Sequence, residues 1–293
     1  MDYGNVVYII GNTLVTELKS YRRNGVRLFA KLEGNNPGGS VKDRTAKYLI
    51  EEAERSGQLK NGKIILEATS GNTGIALAMI AVTKGYRFTA VMPENASIER
   101  IKLLKAFGAE VILTDGEKGT NGAIEVVRRM ILEDDRYYMP DQFSNPANPK
   151  AHYETTGREI LEALPGVTAL VAGLGTGGTI TGAGKRLKSY NSKIDVIAVE
   201  PSQKTRIQGL RNMEAYKPPV YDDSIVDYKL DIPDEEAFEL ARELYVREGL
   251  AVGISCGAAL WGALRYSSMI NEGNIAIIFP DRGDKYFSTE LFK

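Results

Sequence analysis

The chain has 293 residues, 43% hydrophobic and 26% charged, and its 37 basic and 38 acidic side chains leave a formal net charge of −1. That is an ordinary globular balance for about two domains, and it gives no electrostatic case for nucleic acid or an anionic membrane surface. One cysteine, Cys256, excludes an internal disulfide and fits a reducing cytoplasm, and one histidine, His152, argues against a Cys/His metal site.

Val6-Val7-Tyr8-Ile9-Ile10 lacks the basic lead and cleavage pattern of a signal peptide, and no later apolar run approaches the roughly 20 residues that span a bilayer. Thr13–Leu18 and Val26–Leu32 read as strands around Arg22-Arg23-Asn24-Gly25, where Asn-Gly signals a turn. Glu33-Gly34-Asn35-Asn36-Pro37-Gly38-Gly39-Ser40-Val41 then turns the chain, because Pro fixes φ and Gly tolerates positive φ. Lys42 follows, at the head of a helix predicted over 43–56. Ala46, Leu49, Ile50 and Ala53 fall on one face of it, and Gly57 caps its end. The electropositive helix end disfavours the ammonium form, which makes Lys42 a candidate nucleophile of the kind that condenses with carbonyls. Taken alone, this stretch reads more plainly as a solvated lysine in a first turn.

The chain then alternates. Lys63–Glu67 is a predicted strand, Thr69-Ser70-Gly71-Asn72-Thr73-Gly74 opens a helix that runs to Lys84, and Phe88–Met92 is a strand stopped by Pro93. A helix over 97–107, a strand at 110–113 and a helix over 122–132 follow. The polar stretch 141–149 interrupts the pattern. Beyond it come a helix over 151–164, a strand at 169–173, the loop Gly173-Leu174-Gly175-Thr176-Gly177-Gly178-Thr179 with its helix to about 187, and a strand at 195–199. Residues 202–230 read as irregular. Helices over 235–247 and from Ser255 to about 269, then a strand at 275–279, complete the chain. Strand–helix alternation with glycines at the joins predicts an α/β fold of mostly parallel sheets flanked by helices. Two such units leave a cleft between them as the expected site.

Glycine-rich loops that leave a strand and open a helix aim N–H groups and a helix dipole at anions. Gly175 to Thr179 suits a phosphate, and the Thr69 to Gly74 loop, with its hydroxyls and amide, suits a carboxylate. Gly173-x-Gly175-x-x-Gly178, with Glu200 at the end of the next strand, also matches a dinucleotide fingerprint. An NAD-dependent oxidoreductase is therefore a rival. It leaves Lys42, the Thr69 loop and the Ser255 turn unexplained. A Ser-His-Asp triad would have to use His152, in a polar helical stretch, and is set aside.

The motifs Pro37 to Arg44, Thr69 to Gly74, Met92-Pro93-Glu94, Gln142-Phe143 with Asn145 to Asn148, Gly175 to Thr179 and Gly253-Ile254-Ser255-Cys256-Gly257-Ala258 resemble the cysteine synthases nearly end to end. These are pyridoxal 5′-phosphate (PLP) enzymes of the tryptophan-synthase-β fold type, fold-type II. The resemblance implies a smaller mobile domain at 40–146. It implies a larger, phosphate-binding domain from 1–39 and 147–293. It implies β-replacement on O-acetylserine or O-phosphoserine, with sulfide or thiosulfate as sulfur donor, by way of an aminoacrylate intermediate. By the same resemblance Lys42 holds PLP, Asn72 bonds its phenolic oxygen, Gly175, Thr176, Gly177, Gly178 and Thr179 hold its phosphate, and Ser255 meets its pyridine nitrogen. Thr69, Ser70, Asn72, Thr73 and Gln142 receive the substrate carboxylate. Asp281 to Tyr286 and Gln208 to Met213 look like the B-type enzymes, and that likeness makes Arg211 a candidate for gripping a phosphate or thiosulfate. A cytoplasmic homodimer is expected, with no metal. Cystathionine β-synthase-like chemistry is the nearer alternative, weakened because the chain carries no appended haem or regulatory domain. Cys256, where many relatives have serine, reads as a small buried side chain.

Overall fold

Two sheets, each fed by strand–helix units, carry the chain in a computed structural model that describes residues 4–23, 25–69 and 71–293. The first elements are β1 (Val15–Glu17), β2 (Val26–Leu32), α1 (Lys42–Arg55), β3 (Ile64–Ala68), α2 (Asn72–Lys84), β4 (Arg87–Pro93) and α3 (Ile98–Ala106). Next come β5 (Glu110–Thr114), α4 (Gly119–Glu133), β6 (Tyr137–Tyr138), α5 (Ala147–Ala151), a π-helical turn at His152–Thr156 and α6 (Gly157–Ala163). The last are β7 (Ala169–Gly173), α7 (Gly178–Tyr190), β8 (Asp195–Pro201), β9 (Tyr228–Ile232), α8 (Asp234–Glu248), α9 (Ile254–Ser267) and β10 (Gly273–Phe279).

The six-stranded sheet runs β1-β2-β10-β7-β8-β9 and the four-stranded sheet β5-β4-β3-β6, with every pairing parallel except β1 with β2. Central strands are apolar on both faces, as parallel strands covered by helices must be. All five residues of β3 and four of the five in β7 are buried. This is the α/β architecture that the alternation predicted. The N-terminal segment divides its packing. Val7 and Ile10 join the core around α1, α2 and β4, while β1 and β2 extend the larger sheet.

Two strands escaped the sequence reading. β6 is only two residues long, and β9 starts at the end of the stretch read as irregular and runs two residues past it. β9 is an edge strand with only Ile232 buried, so it carries no apolar run to see. The turn at Arg22 to Gly25 includes Asn24, which lies outside the described residues; Gly25 has φ +78°, the region glycine favours. The helix predicted over 151–164 begins at Ala147 and widens into a π turn at His152, a distortion frequent at functional sites.

Parallel strands put their carboxyl ends on one edge, and ligands bind outside that edge in open α/β sheets. The loops after β2, β7, β8 and β10 leave the larger sheet there, and those after β3 and β6 leave the smaller one. One cavity is lined from both sets.

Candidate active site

Four helices begin at this cavity. Lys42 opens α1, Asn72 opens α2, Gly177 precedes α7, and Ser255 lies in the first turn of α9. The cavity holds about 280 Å³ and is lined by Lys42, Thr69, Asn72, Thr73, Gln142, Gly175, Thr176, Gly177, Thr179, Arg211 and Ser255. Gly178 stands directly behind that lining as the first residue of α7. The structure thus brings the predicted residues to one place, apart from Ser70, which lies outside the described residues.

Lys42 is half-buried and its Nζ makes no hydrogen bond among the described residues. Enclosure pulls the ammonium below its ordinary pKa, against the pull of Asp281 and Glu33. Burial is therefore the main cause, where the sequence had suggested the helix dipole. The helix itself is anchored two residues further on. Buried Arg44 bonds Glu33 and Glu159, and Lys31 also bonds Glu159.

The 175–179 loop is shaped by close approach. A Cβ on Gly175 would lie 2.5 Å from the Gly209 carbonyl oxygen, and one on Gly178 would lie 2.2 Å from Asn148 Oδ1. Gly177 has φ +79°. The N–H groups of Gly175, Thr176 and Gly177 find no acceptor among the described residues. Asn148 donates to Thr176 Oγ1 at 3.0 Å and His152 Nε2 lies 3.2 Å from Thr179 Oγ1, so both hydroxyls are held from behind. Burial keeps His152 well below its usual pKa and hence neutral.

On the opposite wall Thr69 Oγ1 accepts from the N–H groups of Gly71 and Gly74, capping α2. The N–H groups of Asn72 and Thr73 have no acceptor among the described residues, which leaves a second anion site. Thr73 donates to Gln142 Oε1 at 2.7 Å. Gln142 is set by buried Glu67, which accepts from the N–H groups of Asp141 and Gln142, and Asp141 sits at φ +52°. Burial raises the Glu67 carboxyl to about 8. Arg211 lies over the rings of Phe143 and Tyr216, at 4.9 and 5.2 Å, and forms no ion pair among the described residues.

A lysine amine, two helix-terminal anion sites and a hydroxyl at a third helix start are the parts a phosphate-bearing aldehyde cofactor requires. The pyridoxal-phosphate dependent enzyme family matches residues 6–281. The chain belongs to the pyridoxal-phosphate dependent enzymes. It is 45% identical over 286 residues to cysteine synthase B of Salmonella typhimurium, covering 97% of this chain and 94% of that one. Among solved structures it is similar to a hydrogen sulfide-producing enzyme from Fusobacterium nucleatum, with TM-score 0.93, 42% identity, and coverage of 97% and 99%. It is also similar to an O-acetylserine dependent cystathionine beta-synthase from Helicobacter pylori, with TM-score 0.94, 36% identity and full coverage of both chains.

Pyridoxal phosphate is the cofactor, and the residues present fit it. The loop at 175–177 offers to a phosphate N–H groups that have no acceptor among the described residues, and Lys42 offers an amine in the same cavity. The dinucleotide reading fails on its acidic residue. Glu200 is 1% exposed, pairs with Lys229 at 2.7 Å and accepts from the Met213 N–H, so it has no freedom to hold a ribose. Gly253-Ile254-Ser255-Cys256-Gly257 has the Gly-x-Ser-x-Gly spacing of a hydrolase elbow. No triad forms around it, because His152 bonds Thr45, Thr156 and Thr179. Cys256 is buried, with burial raising its thiol pKa. The motifs around Asn148 and from Asp281 to Tyr286 were visible in the sequence, but their supporting contacts with Thr176, Gln142 and Asn72 were not, and neither was the role of Glu67.

Proposed function

We propose that the protein is a B-type cysteine synthase. It replaces the activated hydroxyl of O-acetylserine or O-phosphoserine with sulfide or thiosulfate, giving L-cysteine or S-sulfocysteine. The observation that carries this reading is the single cavity shared by Lys42, two open helix N-termini and Ser255. The cofactor, when bound, supplies the electron sink that lets an amino acid lose its α-proton and then its β-substituent.

Lys42 would hold the cofactor, and its amine, whose charged form enclosure disfavours, is the group suited to take the proton from the substrate Cα. Asn72 would donate to the phenolic oxygen. The N–H groups and hydroxyls from Gly175 to Thr179 would hold the phosphate. Ser255 would meet the pyridine nitrogen; a hydroxyl brings no negative charge to keep a proton there. That weakens the sink and favours prompt loss of the β-substituent over side reactions at Cα. Thr69, Ser70, Asn72, Thr73 and Gln142 would bind the substrate carboxylate. Residues 40–146 would close on it as the smaller domain against 1–39 and 147–293, excluding water from the cleft. The same reading has the enzyme work as a cytoplasmic homodimer.

Purified protein given O-acetylserine and sulfide should release L-cysteine. Absence of product with every serine donor would contradict the proposal, and an organic thiol amino acid in the same assay tests cystathionine β-synthase-like chemistry. Arg211 favours an anionic group as donor or acceptor, since it lines the cavity without a carboxylate partner among the described residues and a guanidinium can grip a phosphate bidentately. Arg211→Ala should cost O-phosphoserine about 1–3 kcal/mol of transition-state binding and leave O-acetylserine nearly unchanged. Equal effects on both donors would remove Arg211 from this role.

A further inference from the structure

Asn72 is gripped on both sides of its amide by the segment that follows β10. Lys285 Nζ donates to Asn72 Oδ1 at 2.9 Å, and Asn72 Nδ2 donates to Asp281 Oδ2 at 2.7 Å. An ammonium only donates and a carboxylate only accepts, so these two contacts decide which way round the amide lies. Nδ2 keeps a second N–H for the cavity that Asn72 lines. Tyr286 Oη also donates to Asp281 Oδ2, at 2.7 Å, which fixes the carboxylate.

Lys285 does more than orient one side chain. Its Nζ also donates to the carbonyls of Gly38 and Gly39, at 3.0 and 3.1 Å, in the turn that leads into Lys42. Three protons on one ammonium meet three acceptors on two segments. The side chain is 2% exposed. A buried ammonium is costly unless every proton is used and opposite charge lies near. Burial lowers the ammonium's pKa, and Asp281 and Asp43 lie close enough to oppose that. The approach also needs glycine: Gly39 has φ +78°, and a Cβ there would lie 3.1 Å from the Arg282 guanidinium and 3.3 Å from Lys285 Nζ.

We propose that Lys285 is a positioning residue for the cofactor, which locks the Asn72 amide with its nitrogen toward the cofactor's phenolic oxygen and ties it to the turn that carries Lys42. This rests on the role given to Asn72 above. A buried cation that merely cross-links three segments would affect melting alone. A positioning role also alters the electronic surroundings of the bound cofactor.

The test is a titration of apoprotein with pyridoxal phosphate, reading affinity and the absorption band of the bound cofactor. It uses wild type, Lys285→Met, Lys285→Arg, Asn72→Ala and the Met/Ala double variant, with melting curves of each apoprotein. Lys285→Met should weaken binding by about tenfold and shift the band in the same direction as Asn72→Ala. The double variant should lose less than the product of the two single losses, as coupled neighbours do. Lys285→Arg, which keeps charge and donors, should restore most of the affinity and the band. A wild-type band in Lys285→Met, or losses that multiply in the double variant, would overturn the inference and leave the Asn72 contact standing. A wild-type band in Asn72→Ala would overturn that contact, and the inference with it. If Lys285→Met does not fold, Lys285→Gln keeps a polar group at the position and is judged by the same band and affinity.

Discussion

The two walls of the cleft are built by different physics. On the six-stranded side the 175–178 loop is a backbone device, held in shape by glycines that stand against Gly209, Tyr221 and Asn148. On the four-stranded side, side chains shape the wall around the N–H groups of Asn72 and Thr73: Thr69 caps α2, Thr73 bonds Gln142, and Glu67 holds the turn beneath Gln142. A backbone cradle has little room to adjust and suits a group that stays bound. A wall of hydroxyls and amides can exchange partners and suits a group that comes and goes. That difference fits the places proposed above for a resident cofactor on one side and a substrate carboxylate on the other.

The largest effect should come from the backbone wall. Gly178→Ala forces a methyl to within 2.2 Å of Asn148 Oδ1, and Asn148 is itself tied to Gln142 and Thr176. Overpacking of this kind costs about 1–3 kcal/mol, so cofactor affinity should fall by roughly tenfold to a hundredfold, read by titration of the apoprotein. Unchanged affinity would break the contrast between the walls.

A pH series sharpens the other side. Glu67 has its carboxyl raised from 4.5 to about 8 by burial. Between those values the unfolded chain is ionised at this position while the folded chain keeps its proton, so the native state binds more protons. Stability should then fall as pH rises through that window, by at most about 1.4 kcal/mol per pH unit, and level off above it. Glu67→Gln should flatten the slope, although one of the two backbone N–H groups then meets an amide nitrogen. Denaturant melts of both proteins across the window measure this, and parallel curves would refute it.

The smallest effect should be the most selective. Gln142→Ala should weaken the spectral response to substrate by about 1 kcal/mol, the scale of one hydrogen bond, while cofactor affinity stays near wild type. Equal loss of both would point to general unfolding rather than a carboxylate site.

Local chemistry made much of this legible in the sequence. The turn before Lys42 and the loops at 69–74 and 175–179 are written in Pro and Gly, whose backbone restrictions act within a few residues. The family match covers residues 6–281, nearly the whole chain. The supporting contacts were hidden because they are distant: Lys285 lies 213 residues from Asn72 along the chain. The edge strand β9, mostly open to solvent, gave no apolar signal. The cause of the Lys42 shift was also hidden, since a helix start is visible in sequence and enclosure by a second sheet is not.

Reduction of the cofactor-loaded protein with borohydride, followed by digestion and mass mapping, tests the central assignment most directly. The account predicts a pyridoxyl adduct on Lys42, and a Lys42→Ala variant that takes no adduct and has turnover lowered by about a thousandfold or more. An adduct on another lysine, or full turnover in Lys42→Ala, would contradict it.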